Sequence, residues 1–256
     1  MTFDAAAYTQ GERFQLERRR LFAEAWLPFC ASGQLPAPGA FVTHALGGWP
    51  LVAVRGPDGV ARAFRNTCRH QGMPVVETPA GSCEALRCRY HGWTFDLTGA
   101  FVSAPPLVAP SDPEAAIHHL DELTLDEAGG MILVRGRARE PAPAPRLAPG
   151  GAFAGAATTD VDANWKTVVE HLLTDPAWRF AWPIAFLGET VVRQIVPRSF
   201  SRTRVIDLRF GDAATDAAAL KSGAEALQAR RAAGDGAAET PAVEAFREQL
   251  FAVCGP

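Results

Sequence analysis

The chain has 256 residues, 48% of them apolar and 21% charged, enough to bury one large core or two modest ones. A net charge of −3 excludes the basic footprint of a nucleic-acid binder or of a protein drawn to an anionic membrane. No apolar run reaches the ~20 residues of a membrane span, the opening "MTFDAAAYTQ" has no signal-peptide pattern, and five irregularly spaced cysteines do not form a disulfide framework. These features make the cytoplasm the expected compartment.

Residues 11–26, "GERFQLERRRLFAEAW", have the pattern of an amphipathic helix with Arg18, Arg19 and Arg20 on its solvated face. The pattern then turns short and alternating, with "PAPG", "GG" and "GPDG" as turns between strands. "VAVRGPDGVARAF" predicts a hairpin around Asp58-Gly59. Another strand is expected near 130–137, followed by a proline- and alanine-rich linker over 138–151. Beyond it come a strand at 157–162, a helix opening at "DANWKTVVEHLL" with Asp162 or Asn164 as its cap, two alternating strands ("ETVVRQIVP" and "RTRVIDLRF"), and one or two Ala-rich helices.

Two stretches carry the chemistry. "NTCRHQG" (66–72) supplies Cys68 and His70, and "LRCRYHGW" (86–93) supplies Cys88 and His91. Two thiolates and two imidazoles make a four-donor set for a borderline or soft metal, and Gly72 and Gly92 let the backbone approach it. Structural zinc is the rival occupant, but zinc fingers usually place like ligands together in each loop. One Cys and one His per loop is instead the order of a Rieske [2Fe–2S] centre, in which one iron takes both thiolates and the other both imidazoles.

"AFRNTCRHQG" and "RCRYHGWTFDLTGAF" resemble the Rieske domain of the ring-hydroxylating and demethylating non-haem iron oxygenases, and the similarity extends over residues about 8–135. Respiratory-complex Rieske proteins brace these loops with an extra disulfide. Here Met73 and Tyr90 stand at those places, and Cys83 is expected to be a small buried thiol. The resemblance implies a β-rich Rieske domain, a small antiparallel sandwich or barrel, joined to a truncated α+β, helix-grip-like oxygenase domain. The expected division is an N-terminal helical segment at 1–27, the Rieske domain at 28–137, the linker at 138–151 and the shortened domain at 152–256.

In that family the second domain holds a mononuclear iron through two histidines and a carboxylate, entered by a motif resembling N-W-K-x-x-x-E-N. "NWKTVVEHLLTDPAWRFAWP" matches at Asn164, Trp165, Lys166 and Glu170, but the ligand positions fall on Ala177 and Trp182, or on Trp178 and Pro183. The carboxylate position falls on Thr240, and no histidine follows His171. A mononuclear Fe(II) is therefore expected to be absent. A rebuilt site from His171, Asp175 and the His118–His119 pair is the alternative weighed against this, and Asp175 also matches the carboxylate that bridges neighbouring subunits in the family.

The resemblance thus implies an auxiliary, non-catalytic electron-transfer subunit. Its expected partners are a catalytically competent oxygenase subunit, in a head-to-tail hetero-oligomer, and a ferredoxin or flavin reductase as donor. A self-sufficient mono- or dioxygenase with an atypical iron site and a stand-alone ferredoxin-like carrier are the other readings. Trp165, Trp178, Trp182 and Phe186 would then form core or interface where relatives hold iron.

Overall fold

A computed structural model describes residues 6–136, 142–212, 217–233 and 240–255. Two helical segments, α1 (Ala6–Thr9) and α2 (Gly11–Glu17), lead into a π-helical turn over Arg18–Phe22. They bury Tyr8, Phe14, Leu21 and Phe22 and leave the arginine side exposed or half-exposed.

The next strands are β1 (Leu27–Ala31), β2 (Ala40–Leu46), β3 (Trp49–Arg55), β4 (Ala61–Arg65) and β5 (Ala80–Ser82). β6 (Leu86–Arg87), β7 (Thr94–Phe95) and β8 (Phe101–Ser103) form a small three-stranded sheet. β9 (Glu122–Ala128) and β10 (Met131–Arg135) close the half by returning to β1, giving a seven-stranded antiparallel sheet ordered β1-β10-β9-β4-β3-β2-β5. The expected hairpin is β3–β4, with Asp58 Oδ1 accepting from the Val60 amide inside its turn.

The second half is a five-stranded antiparallel sheet backed by helices. Its elements are β11 (Phe153–Val161), α3 (Trp165–Leu172), β12 (Arg179–Ala181), β13 (Ala185–Leu187), β14 (Val191–Pro197), β15 (Thr203–Phe210), α4 (Ala217–Ala232) and α5 (Pro241–Cys254), with sheet order β11-β15-β14-β13-β12. Asn164 caps α3, its side chain accepting from the Lys166 amide at 3.0 Å, whereas Asp162 pairs with exposed Arg202. β11 starts four residues earlier than its sequence pattern suggests because Phe153 packs against Phe210 of β15. β12 and β13 were not expected: three residues each are too few to show a period.

The halves share one core. A single apolar cluster takes in Phe14 and Phe22 of the N-terminal segment, Phe29 and Leu46 of the large sheet, Leu35 of the connection between β1 and β2, and Trp165, Ile195 and Phe246 of the second half. Of the expected linker, 138–141 lie outside the described residues. The rest is largely exposed but anchored at points: Leu147 is buried with Met131 and Leu133, and Trp26 Nε1 donates to the Ala142 carbonyl at 2.7 Å. Among the described residues no helix is long and apolar enough to cross a membrane.

Candidate metal centre

The two Cys/His loops fold in the same way. The Cys68 amide donates to the Met73 carbonyl (2.7 Å), and the Cys68 carbonyl accepts from the Gly72 amide (2.9 Å). The Cys88 amide donates to the Trp93 carbonyl, and the Cys88 carbonyl accepts from the Gly92 amide, both at 2.9 Å. Each turn closes through a glycine in the left-handed region, φ +75° at Gly72 and +72° at Gly92, a conformation that residues with a Cβ adopt only at a cost. The loops follow β4 and β6 and rest on a separate small core that includes Phe41, Val52, Val54, Phe64, Leu86 and Phe95.

Within this frame the four predicted residues meet as two pairs, Cys68 with Cys88 and His70 with His91, and among the described residues no three such donors converge on a single ion. Cys68 and Cys88 are both buried and their thiols lie within interaction distance, with burial first and the neighbouring Cys88 next in pushing the Cys68 thiol above its ordinary pKa. The His70 and His91 rings sit 4.8 Å apart between centroids, at 85° to one another. His70 Nδ1 is buried and has no hydrogen-bond partner among the described residues. A buried nitrogen left unpaired is costly unless something binds it. Two adjoining thiols and an unspent imidazole nitrogen fit a metal cluster held through sulfur and nitrogen.

Several supporting residues went unrecognised in the sequence. Asn66, buried just before the first loop, accepts from the Val75 and Val76 amides (3.0 and 2.9 Å) and donates to the Val76 carbonyl (2.6 Å), which ties the loop's two ends together. Arg69 holds the loop to the turn at 116–118 through the Ile117 carbonyl (3.1 Å) and pairs with Asp121 (2.8 Å). Trp93 lies nearly parallel to His70, with centroids 5.2 Å apart. An Asn before a Cys was the only local signal; the other contacts depend on chain segments distant in sequence. Cys83 is half-buried rather than buried, with its sulfur 3.9 Å from the Gly39 carbonyl.

The predicted iron-ligand positions of the second half have no comparable arrangement. Ala177 is exposed after α3, and Trp178 lies over the Arg193 guanidinium at 4.5 Å. Trp182, joined to Pro183 by a cis peptide, packs on Phe180 and Phe246 at centroid distances of 6.3 and 5.9 Å. Phe180 also meets Phe186 (4.9 Å) and Phe246 (5.9 Å), and Trp165 meets Phe246 (5.8 Å). Thr240 caps α5, its hydroxyl accepting from the Val243 amide at 3.3 Å. His171 packs against Gly223 of α4, while His118 packs on Trp93 in the first half (5.6 Å). The alternative set of His171, Asp175 and His118–His119 is therefore not brought together.

The N-W-K-x-x-x-E residues make two buried charge clusters instead. Glu17 accepts from Lys166 Nζ (2.6 Å) and Trp165 Nε1 (2.7 Å). Glu170 accepts from Tyr8 Oη (2.6 Å), from Arg247 Nε and Nη2 (3.2 and 3.1 Å) and from Arg231. Burial lowers the Lys166 pKa despite its partner.

Comparison with known proteins agrees with this geometry. Residues 25–119 match the Rieske [2Fe-2S] domain family. The chain is 39% identical over 102 residues to the benzene 1,2-dioxygenase alpha subunit of Pseudomonas putida, a match covering 40% of this chain and 23% of that one. It is 31% identical over 175 residues to the glycine betaine monooxygenase oxygenase subunit of Chromohalobacter salexigens, covering 64% and 39%. The matches thus span well under half the length of these curated relatives. Among solved structures, the quaternary ammonium Rieske monooxygenase CntA with gamma-butyrobetaine superposes with a TM-score of 0.80 at 19% identity, covering 98% of this chain and 95% of that chain. Naphthalene 1,2-dioxygenase with indole bound gives 0.70 at 17% identity, covering 91% and 80%.

Proposed function

We propose that this chain, which carries a Rieske [2Fe–2S] domain on the fold of the Rieske oxygenases, is an electron-transferring, non-catalytic subunit of a heteromeric Rieske non-haem iron oxygenase. In this reading Cys68, His70, Cys88 and His91 hold the cluster. Such a centre, with two thiolates on one iron and two imidazoles on the other, takes up and releases one electron at a time. The protein's part is to fix the donors. The paired glycine turns set the two cysteines side by side, Asn66 and Arg69 hold the first loop, and half-buried His70 and His91 place the ligand rings near the surface.

The observation that carries the non-catalytic half of the proposal is the aromatic packing at the positions onto which the resemblance places the family's iron ligands. Ala177, Trp178, Trp182 and Pro183 offer iron no lone pair of a usual ligand, and Phe180, Trp182, Phe186 and Phe246 fill the space between β12–β13 and α5. Oxygen activation is then the task of a longer partner subunit with both histidines. Exposed Asp175, just after α3, is the carboxylate through which the two subunits would be bridged. A ferredoxin or flavin reductase supplies the electrons.

Co-expression with a full-length oxygenase subunit tests this. The expected result is a hetero-oligomer that purifies intact and turns over substrate, with turnover lost when the partner's iron histidines are replaced. Homo-oligomers of this chain alone that consume oxygen with substrate would refute it.

A further inference from the structure

The two ligand histidines sit in unlike surroundings. In the described structure His91 has ring contact with His70, whereas His70 also lies flat against Trp93, 5.2 Å between centroids and 11° from parallel. Trp93 is buried and continues the ring contacts outward, edge-on to His118 at 5.6 Å and to Phe101 at 4.8 Å. His118 and Phe101 also touch each other at 6.1 Å, and both are half-buried.

This chain of rings is held from both sides. Trp93 Nε1 donates to the Val108 carbonyl at 2.9 Å, which fixes the indole plane, and Arg69 clamps the His118 turn to the His70 loop through the Ile117 carbonyl. It ends at a surface where Leu107 is 99% and Ile117 68% exposed.

We infer that His70, Trp93 and His118 form a built-in route by which single electrons pass between the cluster and the surface at residues 107–118, separate from the half-buried edge at His91. The inference rests on the Rieske assignment and adds a direction to it. Electron transfer through protein falls off steeply with the width of the gaps crossed, and contiguous packed π systems narrow those gaps. The step moves one electron: a one-electron donor at the 107–118 surface is oxidised by one, the iron pair held by the four ligands is reduced by one, and no bond or proton moves. Trp93 and His118 are positioning residues in this scheme, since neither ligates iron.

Photoinjection tests it. In a Cys83→Ser background, a ruthenium polypyridyl sensitiser is attached through Leu107→Cys, or through Tyr90→Cys beside His91, and cluster reduction after a flash is followed by visible absorbance. Injection from position 107 should slow by an order of magnitude with Trp93→Leu or His118→Leu and recover in part with Trp93→Phe. Injection from position 90 should stay unchanged, and with His118→Leu so should the cluster midpoint potential. Equal slowing from both positions, or no slowing from 107, overturns the route. If Trp93→Leu fails to retain iron, His118→Leu decides alone, because His118 lies outside both ligand loops. Should the parent protein show no Rieske absorbance or EPR, the cluster assignment fails before any flash is given, and the two failures stay distinct.

Discussion

Around residues 66–93, donor atoms are left unspent: His70 Nδ1 is buried without a partner, and two thiols face each other in a small core. Between α3, α4 and α5 the reverse holds. Glu17 is taken by Lys166 and Trp165, Glu170 by Tyr8, Arg231 and Arg247, and in the neighbouring sheet Arg193 is bonded twice to Asp207. Unspent lone pairs in a rigid frame mark a place where something binds, whereas closed charge networks among aromatics mark scaffold. Among the described residues of the second half the exceptions are Gln194, with both amide atoms buried and unpartnered, and Arg209 Nε, but a single amide beside a cationic donor is no iron site.

The contrast breaks most visibly at the cysteines. Cys68→Ala should abolish the cluster's visible absorbance and EPR signal while the second half stays folded by circular dichroism. His91→Cys should retain two irons but move the midpoint toward the about −400 mV of all-cysteine plant-type clusters, measured by redox titration.

In the second half, Glu170→Gln leaves the Arg231 and Arg247 charges without their shared carboxylate and should cost about 3–5 kcal/mol in denaturant unfolding, with the cluster spectrum unchanged. Phe246→Ala opens a void among Trp165, Phe180 and Trp182 and should cost about 3–5 kcal/mol, again without spectral change. If either variant altered the Rieske spectrum, the two regions would not be separable as described.

The smallest effect concerns pH. His44, stacked on Phe29 at 4.2 Å, and His171 both have pKa values lowered by burial. Below about pH 6.5 the unfolded chain therefore binds more protons than the folded one, so stability should fall as pH drops through that value. Thermal midpoints at pH 7.5 and 5.5 check this, and His44→Gln should flatten the acid side.

The turns of the two Cys/His loops were legible because the candidate ligands and the turn glycines lie within a few residues of each other. The Asn164 cap and the Asp58-Gly59 hairpin were legible for the same reason. What escaped was long-range: the joining of the N-terminal segment to the second half through Glu17 and Tyr8, and the meeting of Trp93 with His118. Trp182 and Phe246 were not readable as partners because they lie 64 positions apart, and only the fold brings α5 against β12.

Iron per chain, determined on the purified protein together with EPR spin counting after reduction, tests the central claim most directly. The account predicts two irons per chain, all accounted for by one Rieske signal. A further iron per chain, giving a ferrous signal that responds to oxygen, would contradict it.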